Sequence, residues 1–470
     1  MGDHTILALL LTVLSIFVGC REEKPSPPNV ILLMADDLGW GDVGFNGNDS
    51  ILTPHLDGLA KEGIIFSRFY AAAPVCSPTR ATCLTGRHHE RYGIHYANSG
   101  HLKQEELTLQ EILKEKGYLT GHFGKWHLGT LTTSEIDANR GKPGDSTHYA
   151  PPWEHGFDVC FSTESKVPTY DPMVTPPPTS GDIGKRKPGE HFGTYYWTGP
   201  GQKVTNNLDG DNSRVIMDRV MPFIDQATKK KQPFFVVIWF HTPHLPVLAG
   251  EEHRKMYAEY PDDVQHYYGA ITAMDEQIGR LKKHLNKSGS FDNTIIFFTS
   301  DNGPEGRKKG GRTQGSTGGL RGRKRSLYEG GTRTPGFAVW PGKFKGDLTC
   351  DVPVVTTDYL PTILDILDIS PSKTVLPLDG SSMLPFIKGE TAKRVSPIFF
   401  SIRKQRAVVD DRYKLYSPDS GRTWELYDLI ADPQEQTDIS EKELQLVNEM
   451  KGRLDEWIVS VEKSSRGGDY

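Results

Sequence analysis

At 470 residues, with 24% charged positions and a formal net charge of -5, the chain can bury a large core and lacks the basic excess that would point to nucleic acid. Its 48 glycines and 32 prolines, in a sequence with no internal repeat, predict long ordered loops rather than low-complexity tracts. The balance is that of an ordinary soluble protein with one large and one small domain.

Ile6 to Val18 is an apolar run too short to span a bilayer comfortably, and it ends at Gly19-Cys20. Phe17-Val18-Gly19-Cys20 resembles a bacterial lipobox, whose cysteine is lipidated and becomes the mature N-terminus. Position 17 is Phe rather than Leu, and Met1-Gly2-Asp3-His4 carries no Lys or Arg. An ordinary secretory signal cut nearby is the alternative. Both predict export, to the periplasm or to a lipid-anchored place on the outer membrane of a bacterium, with Glu22 to Pro28 as a tether. Residues 1–28 therefore stand apart as a leader, 29–395 as the main domain and 396–470 as a C-terminal α+β subdomain.

Asn29 to Met34 is a continuous apolar run that ends in Asp36-Asp37, and it reads as a strand buried on both faces. Ser77 suits an N-cap and Pro78 a first helical position, so a short helix is expected from there to an exit at Leu84-Thr85-Gly86-Arg87. Cys76 stands just ahead of it, in the field of a helix N-terminus, with Arg80 one turn on. Leu109, Ile112 and Leu113 predict a helix stopped by Gly117. Thr120 to Gly129 is punctuated by glycines and holds Lys125 and His127 two apart, a spacing that shares a face in an extended segment. Residues 130–212, rich in Gly, Pro, Thr and Tyr, read as substrate-facing loops.

Phe234 to Phe240 is a second apolar run, ending in His241-Thr242-Pro243-His244, and Thr294 to Phe298 is a third, ending in Ser300-Asp301-Asn302-Gly303. Between them Tyr268, Ile271, Met274, Ile278, Leu281 and Leu285 keep one apolar stripe at helical spacing, as do Tyr359, Leu360, Ile363, Leu364 and Leu367 later. Strands alternating with helices predict an α/β fold, a large mixed and mostly parallel sheet flanked by helices, whose strand ends open on one edge. From about Ser396, four short strand candidates (Ile398 to Ser401, Arg406 to Val409, Tyr413 to Tyr416, Trp424 to Tyr427) precede a helix using Val447, Met450, Leu454, Trp457 and Val461. These predict a small antiparallel sheet with a helix on it. Cys83, Cys160 and Cys350 remain once Cys20 and Cys76 are set aside, an odd number that implies no disulfide framework.

Asp36, Asp37, Asp301 and Asn302 offer only oxygen ligands, a set that suits a hard cation such as Ca²⁺ or Mg²⁺ and not zinc. Prolines around His241 and His244 stiffen their loop, and a histidine near neutral pKa is a natural acid for a leaving alcohol. Gly318-Gly319-Leu320-Arg321-Gly322-Arg323-Lys324-Arg325 is a basic loop suited either to a solvated face or to a clamp on a polyanion, with one cation turned inward.

Cys76-Ser77-Pro78-Thr79-Arg80-Ala81-Thr82-Cys83-Leu84-Thr85-Gly86-Arg87 resembles the signature of the type I sulfatases of the alkaline phosphatase superfamily, near the arylsulfatases and N-acetylgalactosamine-6-sulfatases. Asp36-Asp37, Gly124-Lys125-Trp126-His127, His244 before Leu245-Pro246, Asp301-Asn302-Gly303 and Lys324 ahead of Tyr328-Glu329-Gly330-Gly331 fall in that family's order. Trp424-Glu425-Leu426-Tyr427-Asp428 with Asp432-Pro433 resembles its C-terminal subdomain, so the similarity runs over nearly everything from Asn29 on.

The resemblance implies a sulfuric ester hydrolase in which a maturation enzyme oxidises Cys76 to formylglycine, whose hydrated form is the nucleophile. It implies that Asp36, Asp37, Asp301, Asn302 and residue 76 hold Ca²⁺, with Mg²⁺ a poorer match. Arg80 would orient the nucleophile, Lys125 and Lys324 would bind sulfate, His244 would protonate the leaving alcohol and His127 would take the proton that frees sulfate. His241 stands beside the matching histidine and not at its position. A phosphate or phosphonate hydrolase of the same superfamily is an alternative that Cys76 argues against, and a non-catalytic polysaccharide-binding lipoprotein is another. Export and a basic loop suggest a sulfated carbohydrate substrate, an algal galactan or a glycosaminoglycan, with no nucleic-acid partner and with membrane contact only through the N-terminal anchor. His88, His89, His101, Arg321, Arg323 and the 130–212 loops are candidates for contacting the sugar.

Overall fold

The computed structural model describes residues 26–307, 311–371 and 377–470. The predicted leader up to residue 25, Cys20 included, lies outside the described residues. Among the described residues ten strands form one sheet, ordered Leu348–Cys350, Ile64–Phe66, Phe337–Val339, Thr294–Ser300, Asn29–Ala35, Phe234–Trp239, Leu119–Lys125, Val159–Thr163, Trp197–Gly199, Gln202–Lys203. The five central strands, from Thr294–Ser300 to Val159–Thr163, are parallel. Antiparallel neighbours, Phe337–Val339 and Trp197–Gly199, flank them. The mixed, mostly parallel sheet expected from the alternation of elements is present.

Every residue of Asn29–Ala35 is buried because helices cover both faces. Ile31, Leu33 and Ala35 pack with residues of the helices Pro54–Glu62, Asn212–Lys229 and Asp262–Lys287. Val30, Leu32 and Met34 join a second core with Cys76–Thr85, Leu109–Glu115 and Tyr359–Ile366. Alternate side chains serve alternate cores, so the run has no polar face. Among the described residues no helix is long and apolar enough to cross a membrane.

Two central strands depart from the sequence reading. Leu119–Lys125 occupies the glycine-punctuated stretch, and Val159–Thr163 lies inside the segment read as loops. The first has no apolar run because its packing demands otherwise. A Cβ on Gly121 would lie 2.8 Å from the rings of Phe123 and Phe223, and one on Gly124 (φ 106) 1.9 Å from the Trp239 carbonyl oxygen. His122 Nδ1 meets Ser162 Oγ at 2.7 Å, an internal polar pair that no periodicity announces.

The C-terminal strands Ile398–Ile402, Gln405–Val409, Tyr413–Ser417 and Glu425–Asp428 form an antiparallel sheet in that order. Val408, Leu415 and Leu426 pack on the helix Leu444–Ser465 through Met450, Leu454, Trp457 and Val461. The opposite face, with Phe400, Val409 and Tyr416, meets Tyr70, Val75 and Leu327 of the main body. That contact brings the small sheet beside the residues preceding Cys76.

Candidate active site

The helix carrying the cysteine motif spans Cys76–Thr85, with extended Val75 as its cap residue, so it starts two residues earlier than the Ser77 and Pro78 signals suggest. Pro78 falls third in the helix, where its missing N–H has no intrahelical partner to lose. No side chain caps this end, which leaves its positive pole to the groups around Cys76. The exit is where the sequence places it: Gly86 has φ 66 and donates its N–H to the Thr82 carbonyl at 3.0 Å.

Cys76 Sγ lies 3.7 Å from Asp36 Oδ1, and Lys125 Nζ donates to Asp36 Oδ2 at 2.7 Å. Lys324 Nζ donates to Asp37 Oδ2 at 2.8 Å, and Asn302 Nδ2 donates to Asp37 Oδ1 at 2.7 Å. Arg80 donates to Asp301 Oδ2 from Nε and Nη2, and from Nη1 to the Lys125 carbonyl. All of these side chains are buried. Asp36, Asp37 and Asp301 are thus matched by Arg80, Lys125 and Lys324, a neutral cluster at the carboxyl edge of the parallel sheet.

Burial raises the pKa of Asp37 and of Asp301 above the usual carboxylate range. Burial, then the Asp301 charge, pushes the Cys76 thiol up to about 12, so an unmodified thiol here is protonated at neutral pH. Burial alone would lower Lys324, but the Asp37, Cys76 and Asp36 charges hold it above its ordinary value. His244 sits well below the imidazole range through burial, reinforced by Lys324 and Lys125, and His127 does so through burial and Lys125.

The two histidines have defined polarity. His244 Nδ1–H donates to the Leu245 carbonyl at 2.6 Å, and Nε2 lies 3.7 Å from Asp37 Oδ2. His127 Nε2–H donates to Asn98 Oδ1 at 2.8 Å, and its buried Nδ1 has no partner. His127 reaches the pocket by a route other than strand alternation. The strand ends at Lys125, and the backbone at His127 turns to φ 60.

The donor set fits a hard cation. Asp36 and Asp37 supply its hard oxygen donors, within 4.8 Å of each other and of Cys76 Sγ and a ring nitrogen of His244, whereas Asp301, tied to Arg80, is not in this group. Asn302 Oδ1 is buried without a hydrogen-bond partner, an orphan that a cation would satisfy.

Above the cluster opens a cavity of about 240 Å³, lined by Cys76, Lys125, His127, His244 and Lys324 together with residues that no motif marks. Asn98, Asn139, Ser165, Lys166, Asp182 and Glu305 belong to this second group, and Arg325 joins them from the basic loop read in the sequence. Four of them, Asn139, Ser165, Lys166 and Asp182, come from the 130–212 loops. Glu305, two residues past Gly303, pairs with Arg325.

The other sugar-contact candidates lie elsewhere. His88 packs its ring on Trp457, and His89 Nδ1 bonds the Ile94 carbonyl. His101 pairs with His148. Arg321 donates to Tyr427 Oη and the Glu435 carbonyl, and Arg323 to the Glu305 and Gly315 carbonyls. His241 is buried against Thr163 and Tyr196, outside the cavity lining.

Acids, cations and histidines thus gather at the strand ends of a mostly parallel sheet, beneath a cavity that opens over Cys76. Residues 28–369 match the sulfatase family, and residues 322–460 match the C-terminal part of N-sulphoglucosamine sulphohydrolase. The chain belongs to the sulfatase family and is a sulfuric ester hydrolase. It is 31% identical over 416 residues to N-acetylgalactosamine-6-sulfatase of Mus musculus, covering 85% of this chain and 74% of that one. It is 30% identical over 428 residues to arylsulfatase A of Homo sapiens, covering 87% and 78%. The crystal structure of Ps i-CgsB superposes with a TM-score of 0.77 at 29% identity over 92% of both chains. The same protein in complex with k-i-k-neocarrahexaose superposes with a TM-score of 0.76 at 28% identity, again over 92% of both.

Proposed function

We propose that this sulfatase removes sulfate from a sulfated carbohydrate, an algal galactan or a glycosaminoglycan, with residue 76 acting after a maturation enzyme has oxidised Cys76 to formylglycine and with Ca²⁺ beside it. The observation that carries the reading is the neutral cluster beneath Cys76. Three buried carboxylates are already matched by three fixed cations, so a divalent ion there leaves a net positive site for a sulfate ester.

Formylglycine at residue 76, once hydrated, would supply a hydroxyl that displaces the alcohol from sulfur and a second hydroxyl whose proton must leave for sulfate to be freed. Asp36, Asp37, Asp301 and Asn302, with residue 76, would hold Ca²⁺, which lowers the pKa of a coordinated hydroxyl and offsets sulfate charge. Lys125 and Lys324 flank the same spot on Asp36 and Asp37, where they hold the sulfuryl oxygens as charge shifts in the transition state. Arg80, locked on Asp301, keeps the helix start in register with the strand ends.

Because His244 Nδ1–H is committed to Leu245, the exchangeable proton is the one at Nε2, which passes to the leaving alcohol. The arriving sulfate charge offsets Lys324 and Lys125 and so favours that protonation. His127, with Nε2–H held by Asn98, has Nδ1 free to take the second proton.

Support for a carbohydrate comes from the names of the relatives, N-acetylgalactosamine-6-sulfatase and the neocarrahexaose complex of Ps i-CgsB. The apolar run Ile6 to Val18 supports export, with Cys20 as the lipid attachment site. Two measurements test the reading. The peptide containing residue 76, taken from protein of the native host, is expected to carry the aldehyde, and an unmodified thiol overturns that step. A screen of defined sulfated oligosaccharides is expected to show sulfate release. Turnover of aryl sulfates with none from any carbohydrate overturns the substrate class.

A further inference from the structure

A second groove of about 530 Å³ opens beside the catalytic cavity, lined by Glu90, His95, Tyr96, Ser401, Arg403 and Arg406. Tyr96 and Ala97 form a wall common to both. One side of the groove is built by the first hairpin of the C-terminal sheet, between strands Ile398–Ile402 and Gln405–Val409.

Its charge is unbalanced. Glu90 is matched by His95 at 2.7 Å. Arg403 lies over the Tyr96 ring at 3.6 Å, and Arg406 Nη1 donates to the Arg403 and Gln405 carbonyls at 3.1 and 3.2 Å. Among the described residues neither arginine has a carboxylate within ion-pair distance; Arg406 is near enough to Glu90 to help hold that carboxyl below its usual range, and with Arg403 the groove keeps an excess of positive charge. Arg403 is also the first residue of a two-residue turn and holds φ 50, a left-handed value that glycine or asparagine adopts more readily. An arginine kept at such a position is worth a functional hypothesis.

The hairpin is fixed to the catalytic loop. Gln405 Nε2 donates to the Arg325 carbonyl at 2.8 Å, and Gln405 Oε1 accepts from Leu327 N–H at 2.9 Å. Arg325 follows Lys324 directly, so the groove arginines are held in constant relation to a sulfate-binding lysine. Tyr96, with Arg403 over its ring, therefore stands between the catalytic cavity and the groove.

We propose that this groove is a subsite for the neighbouring sugar residue and selects one that carries its own anionic group, a second sulfate or a carboxylate, through Arg403 and Arg406. The inference rests on the sulfated-carbohydrate reading above. Guanidinium groups suit either anion by paired N–H donors, and Tyr96 offers a sugar ring an aromatic edge.

The test uses the matured full-length enzyme and the double variant Arg403→Asn/Arg406→Gln, in which asparagine suits the left-handed turn. Three substrates are compared: an aryl sulfate, an oligosaccharide with one sulfate on its terminal residue, and the same oligosaccharide with a second sulfate on the adjoining residue. The doubly sulfated substrate is expected to show a KM raised on the order of tenfold in the variant with kcat nearly constant, while the other two are unchanged. In the parent, that KM should also climb with ionic strength. Equal loss on all three substrates, or no loss on any, overturns the subsite. If the parent turns over the aryl sulfate and neither oligosaccharide, the carbohydrate reading itself fails, and the subsite falls with it.

Discussion

Arg80 donates from both Nε and Nη2 to one oxygen of Asp301, at 3.0 and 2.7 Å, while Nη1 holds the Lys125 carbonyl at 3.0 Å. One side chain thereby ties the helix that starts at Cys76 to the ends of two parallel strands. Arg80→Met removes the charge from a site that keeps Asp36 and Asp301 buried, an imbalance that costs about 3–5 kcal/mol. The variant is expected to melt well below the parent without divalent cation and to regain part of the difference when Ca²⁺ is added. Equal melting temperatures with and without the ion would remove the electrostatic explanation.

Cation removal should act on the parent too. Among the described residues Asn302 Oδ1 has no hydrogen-bond partner, and the three acids are balanced by Arg80, Lys125 and Lys324. Dialysis against chelator is expected to lower the melting temperature and abolish sulfate release, and Ca²⁺ is expected to restore both. A ligand at a hundred times its Kd stabilises by about 2.7 kcal/mol, well within calorimetric reach. An unchanged melting curve would count against the site.

Cys76 sits in the first turn of its helix, and among the described residues its sulfur makes one hydrogen-bond contact, with Asp36. Cys76→Ala should therefore fold like the parent, with circular dichroism and melting nearly unchanged. Sulfate release should fall on the order of 10³-fold or more, as for loss of a nucleophile. Retained activity in Cys76→Ala would reject residue 76 as the reacting group.

His244→Ala separates acid catalysis from binding. A sugar alcohol needs a proton as it leaves, and a nitrophenolate does not. The loss of kcat should be about 10²–10⁴-fold for a carbohydrate sulfate and far smaller for nitrophenyl sulfate. Equal losses on the two substrates would place His244 in sulfate binding instead.

Lys414 Nζ lies 2.9 Å from both Glu329 and Glu435, all three buried where the small sheet meets the body. Burial, with the Glu329 charge and against the pull of Lys414, raises Glu435 from 4.5 to about 7. A carboxyl raised by folding contributes stability that is full below its unfolded value and is lost as pH rises through the folded one. The parent should thus lose stability between about pH 4.5 and pH 7, and Glu435→Gln should lose less. The melting-temperature gap in favour of the variant should widen from pH 5 to pH 8, and a constant gap would assign the loss elsewhere.

The three apolar runs ending at Met34, Phe240 and Phe298 were legible as strands because both of their faces are buried, which leaves no polar alternation to confuse. Leu119–Lys125 was not, since its glycines answer to the Phe223 ring and the Trp239 carbonyl, and its polar residues to partners on neighbouring strands. The motif residues Asp36, Asp37, Cys76, Arg80, Lys125, His127, His244, Asp301, Asn302 and Lys324 could be named because their motifs, in order, resemble those of the sulfatases. Asn98, Lys166 and Glu305 could not, because each is drawn to the cavity by a loop whose position no local pattern encodes.

Sequence alone therefore determined the reaction class, through the order of motifs that resembles the sulfatases, and it named the residues that this resemblance assigns to the chemistry. Tertiary structure alone decided which nitrogen of His127 and of His244 is free, how three acids are balanced by three cations, and that Arg403 stands beside the cavity. Those relationships join residues as far apart as Tyr96 and Arg403, and only packing of the C-terminal sheet on the main body brings them together.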